Sequence, residues 1–79
     1  MLKLQVLTFY PNPATDLLTI SDTSEISVIE IYDISGKNVL SQDLNVKKTD
    51  LNISKLKTGM YILKTNSNGK SQSFKFIKK

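Results

Sequence analysis

The 79-residue sequence contains no cysteine, histidine, tryptophan or arginine. Without cysteine there is neither a disulfide framework nor thiol chemistry. Because Cys and His are both absent, the usual ligands of zinc, iron and copper are missing. The usual general base and the sulfur nucleophile are missing as well. We therefore expect a protein that is not an enzyme and that uses neither a metal nor a cofactor.

Long apolar runs are also absent. No stretch approaches the ~20 residues that a membrane-spanning helix needs, so we expect no membrane insertion. Residues 1–6 lack the continuous apolar region and the small-residue cleavage site of a signal peptide. The chain is then either cytoplasmic or a fragment of a longer exported protein, and we favour the fragment.

The charge is uneven along the chain. Eleven lysines against seven acidic residues give a net charge of +4. Residues 1–40 hold two lysines against five acidic residues, and residues 41–79 hold nine lysines against two. A basic half can indicate nucleic acid or an anionic membrane surface. Proteins that bind nucleic acid favour arginine and stacking aromatic residues, so we expect no nucleic-acid partner. We interpret the lysines as residues on solvated strand edges.

The apolar residues recur with a period of two, which predicts strands rather than helices. Residues 26–33 place apolar side chains on both faces, which indicates a strand in the middle of a sheet. Polar residues at 21–25 and the Lys47-Lys48 pair predict turns. With strands at residues 2–6, 17–20, 26–33, 39–44, 49–53, 56–63 and 71–77, the spacing predicts an all-β fold. This fold is a small immunoglobulin-like or fibronectin-like β-sandwich of about seven short antiparallel strands.

Two glycine-containing turns are predicted between strands. In Asp33-Ile34-Ser35-Gly36-Lys37, Asp33 suits the first position of a type I turn, and Gly36 suits the left-handed position that follows. The segment Asn66-Ser67-Asn68-Gly69-Lys70 repeats this spacing, with Gly69 in the corresponding place. Both segments predict β-hairpins.

Two further segments constrain the backbone. Pro11 and Pro13 fix φ and remove backbone donors, so the chain cannot join a sheet ladder until Leu17. The run Leu56-Lys57-Thr58-Gly59-Met60-Tyr61-Ile62-Leu63 resembles the tyrosine corner of β-sandwiches, where the Tyr hydroxyl bonds to backbone a few residues upstream.

The side chains that might carry chemistry also have structural interpretations. Most acidic residues lie in turn signals or alternate with apolar residues on strands, so acid–base catalysis is not indicated. Six aromatic residues could form a sugar-stacking platform, which keeps a fibronectin-like carbohydrate-binding accessory module as an alternative function. The favoured interpretation places them in the core and at the corner. The six are Phe9, Tyr10, Tyr32, Tyr61, Phe74 and Phe76.

Four segments, taken in order, resemble the type A C-terminal sorting domain of the type IX secretion system, which is found on exported proteins of Bacteroidota. The first is Phe9-Tyr10-Pro11-Asn12-Pro13-Ala14, followed by Asp16 and Leu18-Thr19-Ile20. The second, V-I-E-I-Y-D-I-S-G-K-N-V from Val28 to Val39, is similar to the family's central hairpin. The third, from Leu51 to Leu63, contains Gly59 and Tyr61, and the fourth is the basic and apolar tail from Lys75 to Lys79. The resemblance covers residues 9–79.

The resemblance implies a targeting signal, called the address below, rather than a catalyst. Such a domain ends a larger cargo protein, which crosses the inner membrane by its own signal. The domain then directs the cargo to an outer-membrane shuttle and translocon, and a sortase-like peptidase normally removes it. The cargo reaches the cell surface or the medium. Residues 1–8 would be a linker or first strand at the cargo junction, and residues 9–79 the sorting domain.

The resemblance also implies a recognition surface with three parts. They are the proline turn, the glycine–tyrosine corner and the tail. The predicted recognition residues are Tyr10, Pro11, Asn12, Pro13, Gly59, Tyr61, Lys75, Phe76, Ile77, Lys78 and Lys79.

Overall fold

A computed structural model describes residues 7–79, and within them there are strands and turns but no helix. The all-β prediction is therefore confirmed at the level of fold class. Five strands follow one another along the chain. They are β1 (Leu7–Tyr10), β2 (Leu17–Asp33), β3 (Asn38–Asn52), β4 (Gly59–Ser67) and β5 (Lys70–Lys78).

The number of strands differs from the predicted seven because two of the predicted turns are continuous strand. β2 passes through residues 21–25, and β3 passes through Lys47 and Lys48. Each of these long strands thus combines two of the predicted short ones. The strand predicted at residues 2–6 lies outside the described residues, and β1 was not among the predicted strands.

Residues 21–25 form a bend within β2. Between the pairs Ser21↔Lys48 and Ile26↔Val46, β2 advances by five residues while β3 advances by two, so the extra residues form a bulge. The Asp22 carboxylate accepts hydrogen bonds from the Ser24 N–H at 3.2 Å and the Thr23 hydroxyl at 3.3 Å. Polar residues that bond their own backbone therefore curve the strand here, while pairing with β3 continues on both sides.

All strand pairs are antiparallel and belong to one sheet. The order is β1-β2-β4-β5, with β3 also paired to β2. The first half of β2 lies between β1 and β3, and its second half lies between β3 and β4. The central position predicted for residues 26–33 is confirmed. The structure is one open, curled sheet, so neither two separate sandwich sheets nor an immunoglobulin-like arrangement is confirmed.

The core lies inside the curl. Ile29 and Ile31 are fully buried, while Val28 and Tyr32 on the opposite face are half-buried, as the alternation predicts. Burial of this aliphatic surface is the main stabilising term. The other buried apolar residues are Ala14, Leu18, Ile20, Ile26, Leu51, Ile53, Tyr61, Leu63 and Phe76.

Both predicted glycine turns are present. In the first, the Gly36 N–H donates to the Asp33 carbonyl oxygen at 3.0 Å, and Gly36 has φ +92°. In the second, Ser67 pairs with Lys70, which leaves a two-residue loop whose residues both have positive φ. This second loop is the tighter type of hairpin turn, not a repeat of the first.

Candidate functional site

The proline turn connects β1 to β2 at one end of the sheet. Pro11, Asn12 and Pro13 are exposed, whereas Ala14 is fully buried. The peptide bonds Tyr10-Pro11 and Asn12-Pro13 are both cis, which the sequence did not reveal. The turn therefore presents three exposed residues above one buried alanine.

Three hydrogen bonds tie this turn to the end of β5. The Ile77 N–H donates to Asn12 Oδ1 at 3.0 Å, and the Ala14 N–H donates to the Ile77 carbonyl oxygen at 2.8 Å. The Lys79 N–H donates to the Ala14 carbonyl oxygen at 2.7 Å, and Ala14 and Lys78 form a parallel bridge. The prediction that the chain joins no ladder before Leu17 is therefore wrong at Ala14, which, unlike the two prolines, has a backbone N–H to donate. We call these four residues, Asn12, Ala14, Ile77 and Lys79, the terminal clasp. No sequence pattern predicted this clasp, although both segments were singled out as recognition segments.

The glycine–tyrosine corner lies beside the same end of β5. Gly59 pairs with Lys78, and Tyr61 pairs with Phe76. The Tyr61 and Phe76 rings stack with centroids 5.7 Å apart, and the Tyr61 hydroxyl donates to the Lys57 carbonyl oxygen at 2.7 Å. The backbone hydrogen bond predicted for the corner is therefore present. The structure brings all three predicted recognition segments together at one end.

The predicted recognition residues differ in accessibility. Tyr61, Phe76 and Lys78 are buried, so their contacts are with this chain itself. Gly59 is half-buried, and a Cβ built on it would meet no atom within 4 Å. The exposed members are Tyr10, Pro11, Asn12, Pro13, Lys75, Ile77 and Lys79.

Lys78 is a basic residue on the core side of β5. It is only 6% exposed, and its Nζ donates to the Lys79 carbonyl oxygen at 2.7 Å. A buried ammonium group requires hydrogen-bond acceptors, so this contact fixes the last residue against the sheet. The strand alternation that places Phe74 and Phe76 on the inner face also places Lys78 there.

The described chain begins at the other end of the sheet. Leu7 pairs with Asp22, next to the bend of β2. Residues of that bend line one groove together with Asn45, Lys47 and the tip of the β4–β5 hairpin. From Leu7, β1 runs toward the terminal clasp. The clasp and the start of the described chain therefore lie at opposite ends of the domain.

The predicted turn acid Asp33 organises the β2–β3 hairpin. Its Oδ1 accepts hydrogen bonds from the Ser35 hydroxyl at 2.6 Å, the Ser35 N–H at 2.9 Å and the Lys37 N–H at 3.0 Å. The Ser35 side-chain hydrogen bond, followed by the Lys37 backbone bond, holds the pKa of Asp33 below its usual value. These bonds have a structural role because they stabilise the turn.

The aromatic residues do not form a flat exposed platform within residues 7–79. Tyr61 and Phe76 are buried, and the Phe9 and Phe74 rings face each other at 5.4 Å. Tyr10 is 47% exposed. A carbohydrate-stacking surface is therefore not supported by the placement of these rings.

Residues 7–79 contain no group of three or more His, Cys, Asp or Glu residues arranged to hold a metal ion. They also contain no helix with the length and apolar character needed to cross a membrane.

The fold and the clasp define a small all-β module whose distinctive feature is the closure of its C-terminal strand against a proline turn. A family model described as "Secretion system C-terminal sorting domain" matches residues 8–79. The chain therefore belongs to the C-terminal sorting domains of the type IX secretion system. A comparison with curated proteins gives no match.

Proposed function

We propose that this domain is a non-catalytic address that directs a larger, N-terminally attached cargo to the type IX translocon for export across the outer membrane. An outer-membrane shuttle or translocon component binds the clasp end. A sortase-like peptidase then removes the domain, and the cargo reaches the cell surface or the medium. Residues 1–8 form the cargo junction and residues 9–79 the address. Family membership supports the general role.

The convergence of three distant segments carries the proposal for the recognition site. The proline turn and the tail are far apart in sequence, yet Asn12 and Ile77 are joined by a hydrogen bond. A tail held in one conformation loses less entropy on binding than a flexible tail does. The clasp therefore lowers the entropic cost of binding the tail to a partner, because it already holds the tail in one conformation.

The exposed side chains at this end suggest what the partner contacts. Tyr10 and the two prolines form a stiff, partly apolar surface. Lys75 and Lys79 add positive charge on the neighbouring strand end. Complementary negative charge on a partner would favour encounter and orientation.

The position of the chain start also supports recognition at the clasp. Leu7 lies at the end of the sheet opposite the clasp, beside the bend of β2. A cargo that enters from that side leaves the clasp accessible. The proposal therefore requires no rearrangement of the cargo before the outer-membrane component binds the clasp end.

Export of a reporter tests the proposal. The domain is fused to the C-terminus of a reporter with an inner-membrane export signal, in a cell that has a type IX system. We expect the intact fusion outside the cell and a fusion lacking residues 75–79 in the periplasm. The double variant Lys47→Ala/Lys48→Ala at the other end is the control, and it should be exported normally.

A second pair of variants separates clasp geometry from tail sequence. Asn12→Ala removes the acceptor of the Ile77 N–H, whereas Asn12→Asp retains an acceptor oxygen. We expect export and hydrogen-exchange protection of the Ile77 amide to fall in Asn12→Ala and to be retained in Asn12→Asp. Normal export of Asn12→Ala with an unprotected Ile77 amide would contradict a role for the clasp.

A further inference from the structure

The outer face of β4 and β5 exposes an apolar pair next to the clasp. Met60 is 46% exposed and Ile77 is 44% exposed, and the two are directly paired across the strands. Ile62 continues the apolar surface along β4 and is half-buried. Side chains at paired positions and at alternate positions along a strand lie on one face, so these three form one patch.

Two lysines border this patch. Lys75 is paired with Ile62 on β5. On β4, Lys64 places its Nζ 4.9 Å from the centroid of the Tyr32 ring. This cation–π contact holds the Lys64 side chain over the face instead of leaving it free in solvent.

A shallow depression lies between the apolar and basic groups. It encloses about 180 Å³ and is lined by Ile62, Ser73, Phe74 and Lys75. Its size suits one or two partner side chains rather than a whole small-molecule ligand. The face therefore has an apolar centre, a recess and a basic border.

The pairing of Met60 with Ile77 distinguishes this face from the other exposed apolar residues. Leu17 and Val46 are also exposed, but Leu17 pairs with Asn52, and Val46 pairs with the buried Ile26. Ile34 is 76% exposed and lies in the β2–β3 turn, outside the strand pairs. Single exposed apolar residues are ordinary on protein surfaces, whereas contiguous ones mark interaction sites.

We propose that this face, formed by Tyr32, Met60, Ile62, Lys64, Lys75 and Ile77, is a docking surface for a partner protein whose contact region has an apolar centre flanked by carboxylates. The charge of Lys64 and Lys75 argues for the carboxylates, and the Met60–Ile77 pair argues for the apolar centre. Two acidic residues also lie on this side of the sheet: Glu30 is paired with Lys64, and Asp43 is paired with Val28. Because Ile77 also belongs to the terminal clasp, the two surfaces are continuous.

This inference rests on the proposed function, since the partner is taken to be an outer-membrane component of the type IX system. It adds residues of β2 and β4 to a site otherwise placed in the turn and the tail. Buried apolar contacts would supply affinity, and the lysines would steer approach and fix orientation.

The first experiment measures export of the reporter fusion with Met60→Gln/Lys64→Glu, which leaves residues 75–79 intact. The control is Val46→Thr/Lys47→Glu, which makes a similar pair of changes at the other end of the domain. We expect export to fall about tenfold for the first double variant, the effect of a loss of about 1.4 kcal/mol in binding free energy, and not for the control. Urea midpoints of both purified domains establish that each remains folded.

The two proposals fail in different ways. If Met60→Gln/Lys64→Glu is exported like the parent while deletion of residues 75–79 blocks export, the docking face is refuted and the address function stands. If the deletion, which also removes Lys75 and Ile77 from the face, is exported normally, both the role of the tail and the docking face are refuted.

A binding measurement tests the charge argument separately. The probe is the purified outer-membrane shuttle protein of the same cell, in detergent, titrated with the intact reporter fusion at increasing salt. We expect the affinity to fall with salt, and we expect a Lys64→Glu/Lys75→Glu fusion to bind at least about tenfold more weakly, with a flatter salt dependence. Equal affinity and equal salt dependence of the two fusions would overturn the proposal.

Discussion

The hydroxyl of Tyr61 provides a direct test of how the corner stabilises the clasp end. Tyr61→Phe removes one hydrogen bond of 2.7 Å to the Lys57 carbonyl oxygen and leaves the ring in place. The stack on Phe76, at 5.7 Å, should persist, so little packing energy is lost. A net hydrogen bond contributes roughly 0.5–1.5 kcal/mol, and an unsatisfied partner adds to the cost. The hydrogen bond is only partly buried, so water can replace part of what the lost donor supplied. We therefore expect a loss of about 1–1.5 kcal/mol in the free energy of unfolding.

Urea denaturation of the purified domain measures this loss. With a slope of about 1 kcal/mol/M for a protein of this size, the midpoint should fall by about 1–1.5 M. The matched control is Tyr10→Phe, because Tyr10 is 47% exposed and its hydroxyl can bond to water. Equal midpoints for Tyr61→Phe and the parent would refute the structural role of the corner hydroxyl. A changed slope would instead indicate an altered unfolded or native state.

Three further variants test other parts of the fold. Thr65 is 2% exposed, and its hydroxyl finds no partner among the described residues. Thr65→Val should therefore raise the free energy of unfolding by about 1 kcal/mol and shift the urea midpoint upward, and a lower midpoint would contradict this. Gly36 has φ +92°, so Gly36→Val should lower the free energy of unfolding by about 1–3 kcal/mol, and Gly36→Asn should lower it less. A lower melting temperature for Gly36→Asn than for Gly36→Val would be inconsistent with this turn. The lowered pKa of Asp33 stabilises the fold above the unfolded-state pKa of about 4. This contribution is lost as pH falls through the folded-state pKa, so the stability difference between the parent and Asp33→Asn should shrink below about pH 4. A constant difference in acid titrations would argue against the Asp33 bonds.

Features determined by local chemistry could be predicted from the sequence. The Asp33–Gly36 turn depends on a carboxylate and a glycine only three residues apart. The Tyr61 hydroxyl reaches backbone four residues upstream, within the same motif. The alternation of β5 predicted which side of the strand carries Phe74 and Phe76. Each of these depends on neighbours in sequence, so a short window contains the necessary information.

Features determined by distant partners could not be predicted in this way. Residues 21–25 have the composition of a turn, but pairing with β3 on both sides keeps them in a bent strand. The bridge between Ala14 and Lys78 depends on the curl of the whole sheet, which brings β5 to the proline turn. Nothing local at Ala14 distinguishes it from an exposed alanine. The clasp therefore depends on how the whole sheet is assembled, which no short window of sequence contains.

The most direct test of the address function compares the location of two reporter fusions in type IX-competent cells. One carries the intact domain, and the other lacks residues 75–79. A third fusion, with Ile29→Val in the core, controls for a loss of stability of about 0.5–1.5 kcal/mol away from the clasp. We predict that the intact and Ile29→Val reporters are found outside the cell and that the tail-deleted reporter stays in the periplasm. Equal export of the intact and tail-deleted reporters would contradict recognition at the clasp end.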